Sequence, residues 1–291
     1  PAVDLADRLD AWTAGSIEAL DRSLAPTPCS TLPERPLVLH CWRGGLRSRS
    51  VTSFVRALGL ERAVALDGGY KAYRVWVRAE LDLWDAPPMF VLRGLTGVGK
   101  TLVLRELERL RPGWTLDLEE LAGHRGSVLG GVGLEPCTQK TFETRILARL
   151  SRGFPGRCVV EGEGRKVGDS LLPPRVWSAL DAGTNLELTA SPERRAQVLL
   201  GDYLALESNR GAIAAELPFI EQRLGSVKYA GVLSGLFASG RDRELVELLL
   251  ERYYDPLYRR SEKNRLYAAR FDAEDPARAA AAIADWIQAR A

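Results

Sequence analysis

The sequence has no apolar run approaching the roughly eighteen residues that a helix needs to cross a bilayer. It also shows no charged-then-apolar leader of the kind that directs secretion. Only four cysteines are present, Cys29, Cys41, Cys137 and Cys158, and none are spaced as zinc ligands are. Four in 291 residues build no disulfide scaffold, so reduced thiols in a cytoplasmic protein are expected. Net charge is nearly absent: 40 Lys and Arg against 38 Asp and Glu leave +2. Such a balance permits a nucleic-acid partner without arguing for one, because clustering on one face is what matters. Internal repeats and low-complexity tracts are missing too.

What is present fits a soluble globular chain, 46% hydrophobic and 27% charged, long enough for two cored domains. Leu5, Leu9 and Trp12, then Ile17, Leu20 and Leu24, recur at helix spacing before a proline-rich break at Pro26, Pro28 and Pro33. Residues 36–40 read as a buried strand. A helix follows with Val51, Phe54, Val55 and Leu58 on its apolar face and Gly59 at its end, and 63–66 is a second buried strand. Strand, helix, strand implies a parallel crossover. Ala86-Pro87-Pro88 reads as a linker, which predicts domains over 1–86 and 87–291.

Beyond the linker the alternation restarts. Strands are predicted at 89–93, 114–118, 157–161 and 185–189, and helices at 100–110 and 138–150. Ser191-Pro192 opens a mostly helical region, and Asp275-Pro276 opens a last helix faced by Ile283 and Trp286. The expected fold class is α/β: two parallel α/β domains, the second with a helical C-terminal region.

Two loops carry chemistry. In His40-Cys41-Trp42-Arg43-Gly44-Gly45-Leu46-Arg47-Ser48 a cysteine sits between a strand end and a helix N-terminus, where backbone N–H groups and the helix dipole favour an anion. Arg43 and Arg47 add positive charge, so the nucleophilic thiolate is favoured. Gly44 and Gly45 let the backbone curl around a persulfide, a phosphate or a related oxyanion. The same His-Cys-x5-Arg-Ser spacing occurs in cysteine-dependent phosphatases, where the arginine forks onto phosphoryl oxygens. The cysteine loop leaves both readings open.

The second loop, Gly94-Leu95-Thr96-Gly97-Val98-Gly99-Lys100-Thr101, matches the phosphate-loop pattern in full, with a strand before it and a helix after. Its N–H groups would wrap a phosphate, Lys100 would add a charge, and Thr101 could reach Mg2+. Glu161, at the end of an apolar strand, is the candidate metal-binding acid. The pattern shows phosphate binding and leaves its carrier open.

The Leu66-Asp67-Gly68-Gly69 turn resembles the one that follows the last strand of rhodanese domains. A rhodanese-type cysteine loop ahead of a phosphate loop resembles the tRNA 2-selenouridine synthase family. So do the stretch from Asp117 to Ser127, Gln139 with Phe142-Glu143, the run from Glu161 to Gly168, and Tyr254-Asp255-Pro256-x-Tyr258. The resemblance covers about residues 36–260, and His124-Arg125-Gly126-Ser127 is its most specific part. It implies a rhodanese-like first domain and a cytoplasmic transferase acting on tRNA that carries 2-thiouridine at the wobble position. Geranyl diphosphate would alkylate the sulfur, and selenium from selenophosphate would then replace the S-geranyl group. No tightly bound cofactor and no membrane partner is expected, and contact with a selenophosphate-producing enzyme is.

By the same resemblance, Cys41 serves selenium transfer, with Arg43, Gly44, Gly45, Arg47 and Ser48 binding the anion. Residues Gly94 to Thr101 hold a diphosphate. Glu119, His124, Arg125, Gly126, Ser127, Glu161, Glu163, Arg165 and Lys166 form the expected pocket. Two departures stand out. The chain opens at Pro1 without the family's Asp-Val-Arg-type strand, so an incomplete rhodanese half is expected. The family's Glu-Asp-Glu-Ser is replaced by Glu161-Gly162-Glu163-Gly164. Competing expectations are an ATPase or phosphotransferase with a regulatory module, or a non-enzymatic binding module. Arg194-Arg195 and Arg259-Arg260 are the arginine pairs considered for tRNA contact.

Overall fold

The computed structural model describes residues 36–262 and 265–290. The helical pattern from Leu5 to Leu24 lies outside the described residues. The chain forms two compact units that divide between Glu80 and Leu81.

In the first unit β1 (Leu37–Leu39) pairs in parallel with β2 (Ala63–Ala65) through α1 (Leu46–Ala57), and α2 (Gly69–Leu83) follows. The crossover is the expected one, but β1 is not buried: Val38 is 48% exposed. This sheet has two strands among the described residues, so little covers β1. Helix α1 also turns a different face inward. Val51 is exposed, while Ser48, Thr52 and Ser53 are buried. The last two satisfy their hydroxyls within the helix, Thr52 Oγ1 donating to the Ser48 carbonyl (2.8 Å) and Ser53 Oγ to that of Arg49 (3.1 Å). Gly59 ends the helix as expected, at φ +95°.

The second unit is built on a five-stranded, all-parallel sheet, confirming the α/β class. Its strands are β3 (Met89–Arg93), β4 (Thr115–Leu116), β5 (Cys158–Glu161), β8 (Thr184–Thr189) and β9 (Ala269–Asp272), in the order β4-β5-β3-β8-β9. Strand β3 is central because Val91 and Leu92 are apolar and fully buried. A short antiparallel hairpin, β6 (Lys166–Val167) with β7 (Ser170–Leu171), stands apart. Helices α3 (Lys100–Leu110) and α12 (Pro276–Gln288) cover the sheet. Val103, Leu107, Leu186, Leu188 and Ile283 meet there in one core.

The strand expected at 114–118 is shorter than the sequence suggests. Asp117 accepts a hydrogen bond from the Glu120 amide (2.7 Å) and caps α4 (Leu118–Ala122), which draws Leu118 into a helix. Helix α5 (Gln139–Leu150) begins from its Thr138 cap. Strand β9 interrupts the region read as helical. It is a four-residue edge strand, too short to stand out by periodicity.

The remaining helices form a second layer. They are α6 (Pro174–Asp181), α7 (Pro192–Leu204), α8 (Arg210–Tyr229), α9 (Val232–Ala238), α10 (Asp242–Leu249) and α11 (Asp255–Glu262), with a π-helical turn at Leu250–Tyr254 joining the last two. Leu199, Ile213, Leu217, Phe237 and Leu249 build their core. Ser191 and Asp275 cap α7 and α12 as their sequence implies. Among the described residues no helix is long and apolar enough to cross a membrane.

Leu188 is 1% exposed on β8, against the phosphate loop and α12. Leu188→Ala is expected to cost about 2–5 kcal/mol of the second unit's stability. A chemical denaturation midpoint unchanged from the parent protein would contradict this packing.

Candidate functional site

The phosphate loop leaves the C-terminal end of β3, where the chain connections diverge to β5 on one side and β8 on the other. Two glycines are required there by contact as well as by conformation. A Cβ on Gly94 (φ +150°) would lie 2.5 Å from the Leu188 carbonyl oxygen, and one on Gly97 (φ +78°) 2.7 Å from that of Arg195. Leu95 accepts from the Val98 amide (3.2 Å) to close the turn, and Gly99 leads into α3. Beneath the loop, Arg195 Nε donates to the Thr96 carbonyl (2.8 Å) while its Nη1 donates to Asp255 (3.1 Å). Arg195 is therefore 6% exposed and not a tRNA contact, whereas Arg259 and Arg260 are exposed.

A cavity of about 220 Å3 opens on the loop. Lys100 faces it with its Nζ 5.8 Å from the Tyr258 ring centroid. Burial opposes the ammonium charge, but Tyr258, Glu163, Glu119 and Glu161 outweigh it and hold the pKa of Lys100 above the usual lysine value. Thr101 Oγ1 donates to Glu119 (2.9 Å), whose carboxyl is raised mainly by burial. Glu161 is fully buried at the end of β5, and its Oε1 accepts from the Glu119 amide (3.3 Å). Burial, and then Asp117, push its pKa well above the usual carboxylate value. Glu161 Oε2 and Asp117 Oδ2 are both buried. Burial and then Glu119 push Glu163 up to about 7. No group of three or more His, Cys, Asp or Glu could by itself hold a metal among the described residues.

The His-Arg-Gly-Ser stretch is divided between two places. Arg125 and Ser127 line the cavity, Arg125 lying 5.0 Å over the Tyr203 ring and Ser127 Oγ 3.2 Å from the Tyr203 hydroxyl. Gly126 backs onto Glu163, leaving no room for a side chain. His124 points elsewhere. Its Nδ1 accepts from the Gly126 amide (3.0 Å), and its ring faces a second cavity with Cys137 and Asp169. Nor are Arg165 and Lys166 brought to the phosphate loop: both are exposed, and Lys166 pairs with Asp169 (3.0 Å). Their hairpin turns them away.

Next to the phosphate cavity lies a narrow apolar slot. Leu199 and Tyr203 line both, and Ile213, Leu245, Leu249 and Tyr254 complete the slot. Its wall includes the π-helical turn, a form frequent at functional sites.

In the first unit Cys41 follows β1 and faces the start of α1. Ser48 Oγ donates to its sulfur (3.4 Å). That bond lowers the thiol most; the backbone N–H groups of Arg43, Gly45 and Ser48 assist against desolvation, and the pKa falls to about 6. By contrast, burial pushes the Cys158 thiol far up. The turn after β2 locks the loop in place. A Cβ on Gly44 would stand 2.6 Å from the backbone nitrogens of Gly68 and Gly69, and one on Gly69 would collide with the Cys41 carbonyl oxygen. Tyr70 and Lys71 donate backbone bonds to the Cys41 and Trp42 carbonyls (2.9 and 3.0 Å). Arg43 and Arg47 are exposed beside the sulfur's loop.

A family model described as the tRNA 2-selenouridine synthase AAA domain matches residues 87–291. The chain belongs to the tRNA 2-selenouridine synthase family. It is similar to a protein of that name from Cupriavidus pinatubonensis, 34% identical over 87% of this chain and 74% of the relative. A namesake from Pseudomonas aeruginosa is 35% identical over 78% and 69%, and one from Chromohalobacter salexigens 30% over 76% and 66%. The chain is thus a member of a family of tRNA-modifying enzymes.

In this member of the synthase family the cavity includes Arg105, Asp202 and Tyr203, which sequence reasoning missed. Arg105 had a signal: it lies four residues after Thr101 on α3, hence on the same helix face. Asp202 and Tyr203 had none, because only the packing of α7 under the loop brings them in.

Two titrations test these assignments. Alkylation of Cys41 by iodoacetamide, followed by peptide mass mapping, is expected to rise with pH through about 6 and then level off. Ser48→Ala should move the rise to higher pH; an unmoved profile would remove the hydroxyl as its cause. Glu163 gains its negative charge as pH rises through about 7. Inorganic pyrophosphate binding should therefore strengthen with pH more in Glu163→Gln than in the parent. Identical pH dependences would exclude Glu163 from the anion's surroundings.

Proposed function

We propose that this protein converts wobble 2-thiouridine of tRNA to 2-selenouridine, by S-geranylation with geranyl diphosphate and then selenium transfer from selenophosphate. The observation that carries this reading is the cavity in which Lys100, Thr101 and Arg125 meet at the phosphate loop, in a chain of the synthase family. Leu134, Val198 and Leu199 line the same cavity as Lys100 and Arg125, which suits a diphosphate ester of an apolar chain.

The loop from Gly94 to Thr101 would bind the diphosphate through its N–H groups, with Lys100 supplying the charge. Diphosphate leaves with the electron pair of the C–O bond as the thiouridine sulfur bonds to the geranyl carbon. The negative charge that develops is what Lys100 and Arg125 are placed to offset. Thr101 and Glu119 fit a Mg2+ ion carried in mainly by the diphosphate, since Thr101 already donates to Glu119 and the protein offers no ligand cage of its own. Such an ion would neutralise phosphate charge. The selenium of selenophosphate then bonds to the ring carbon, the S-geranyl group departs as geranyl thiol, and water cleaves the Se–P bond to release phosphate. In the first unit the Cys41 loop is the anion site for selenophosphate: Arg43, Gly45 and Ser48 turn N–H groups inward, and Cys41 is the residue on which selenium transfer depends.

The test uses 2-thiouridine tRNA with geranyl diphosphate, then with selenophosphate added, reading digested nucleosides by mass spectrometry. Lys100→Ala is expected to slow S-geranyl formation by roughly a hundredfold or more. Cys41→Ala should geranylate normally and incorporate no selenium. An unmodified nucleoside together with metal-dependent nucleotide hydrolysis would overturn the proposal in favour of an ATPase or phosphotransferase.

A further inference from the structure

We infer that the aromatic stripe along α2, beginning at the Cys41 loop, is a stacking surface for the unpaired bases of an RNA loop. This rests on the tRNA reading above and deepens it by naming where the RNA lies. Tyr70, Tyr73 and Trp76 recur every three residues on α2. Their ring centroids are 6.0 Å apart from Tyr70 to Tyr73 and 5.8 Å from Tyr73 to Trp76. At the other end His40 stacks on Tyr70 at 5.9 Å, and Trp42 tilts against it at 5.8 Å. Five rings therefore run continuously from both neighbours of Cys41 along about two helical turns. A ladder built for core packing would be covered to its end, yet Trp76 is 50% exposed. Exposed, closely spaced aromatic faces are what single-stranded bases stack on, whereas a paired base keeps its faces within the duplex.

Charge selects the partner. Arg43 and Arg47 on the cysteine loop and Lys71 and Arg78 on α2 are exposed cations. Asp67 is engaged by Arg49. Arg43 and Lys71 border a shallow groove that passes Val75 and meets the stripe at Trp76. A phosphate backbone along those cations reaches the stripe at Trp76. The stripe and the thiolate share one scaffold, because the Tyr70 amide donates to the Cys41 carbonyl.

The experiment is fluorescence anisotropy on the full chain with a fluorescein-labelled RNA hairpin carrying an unpaired loop, and with a blunt RNA duplex of the same length. Trp76→Ala is expected to weaken hairpin binding roughly five- to a hundredfold and to leave duplex binding nearly unchanged. Trp76→Phe, which keeps a flat ring, should retain most of the affinity. Lys71→Gln should lower the salt slope of hairpin binding by about one. Circular dichroism melting of each variant separates lost binding from lost folding. Hairpin affinity unchanged in both Tyr73→Ala and Trp76→Ala overturns the assignment, and would leave the stripe as a surface for another protein. The two proposals fail separately. A parent protein that prefers the hairpin yet modifies no nucleoside removes the reaction and keeps the surface. One that modifies tRNA with the same KM after Trp76→Ala removes the surface and keeps the reaction.

Discussion

Arg195 is the residue through which the phosphate loop and the helical layer depend on each other. Its guanidinium, almost without solvent, donates to the Thr96 carbonyl inside the loop and to both oxygens of Asp255 at the start of α11. A buried ion pair is held by geometry, since each charge has given up its water and must be met by the other. That geometry sets the heights of α7 and α11 beneath the loop. Asp202 and Tyr203 then arrive from α7, and Tyr258 from α11, at the cavity where Lys100 stands. The same seating brings Leu199 between the phosphate cavity and the apolar slot.

Around Lys100 the chain gathers more carboxyls than one ammonium can neutralise. Burial resolves the conflict unevenly. Glu161 is pushed well above the usual carboxylate value, Glu163 up to about 7, and Glu119 is tied to Thr101. The result is a site whose charge can be adjusted by one proton where a phosphate would lie. The cysteine loop handles negative charge by other means. A thiolate there needs no cation in contact, because Ser48 and three N–H groups point at the sulfur.

What could be read from the residue string was local. The glycines at 94, 97 and 99 imply a tight turn, Ser191 and Asp275 imply helix starts, and Gly59 implies a helix end. Each is realised, because these effects act within a few covalent bonds. The cysteine loop and the phosphate loop were legible for the same reason, as backbone conformations written in glycine and a reactive side chain. Short-range logic also misled at residues 114–118, where the Asp117 cap outcompetes the pull of the sheet on Leu118.

Relations across the chain belong to the tertiary structure. Arg195 reads as one half of an exposed basic pair until Asp255, sixty residues on, is folded against it. His124 and Arg125 are neighbours in sequence and part company in space, because the turn after α4 sends one ring toward Gly168 and the other side chain toward Tyr203. Nothing in Ala269–Asp272 announces a strand until β8 offers an open edge to pair with. The sequence by itself determined where backbone chemistry makes two anion-binding loops. Only the packed structure decided which carboxyls are pushed up in pKa and which arginines are spent on the fold, since each depends on burial by residues distant along the chain.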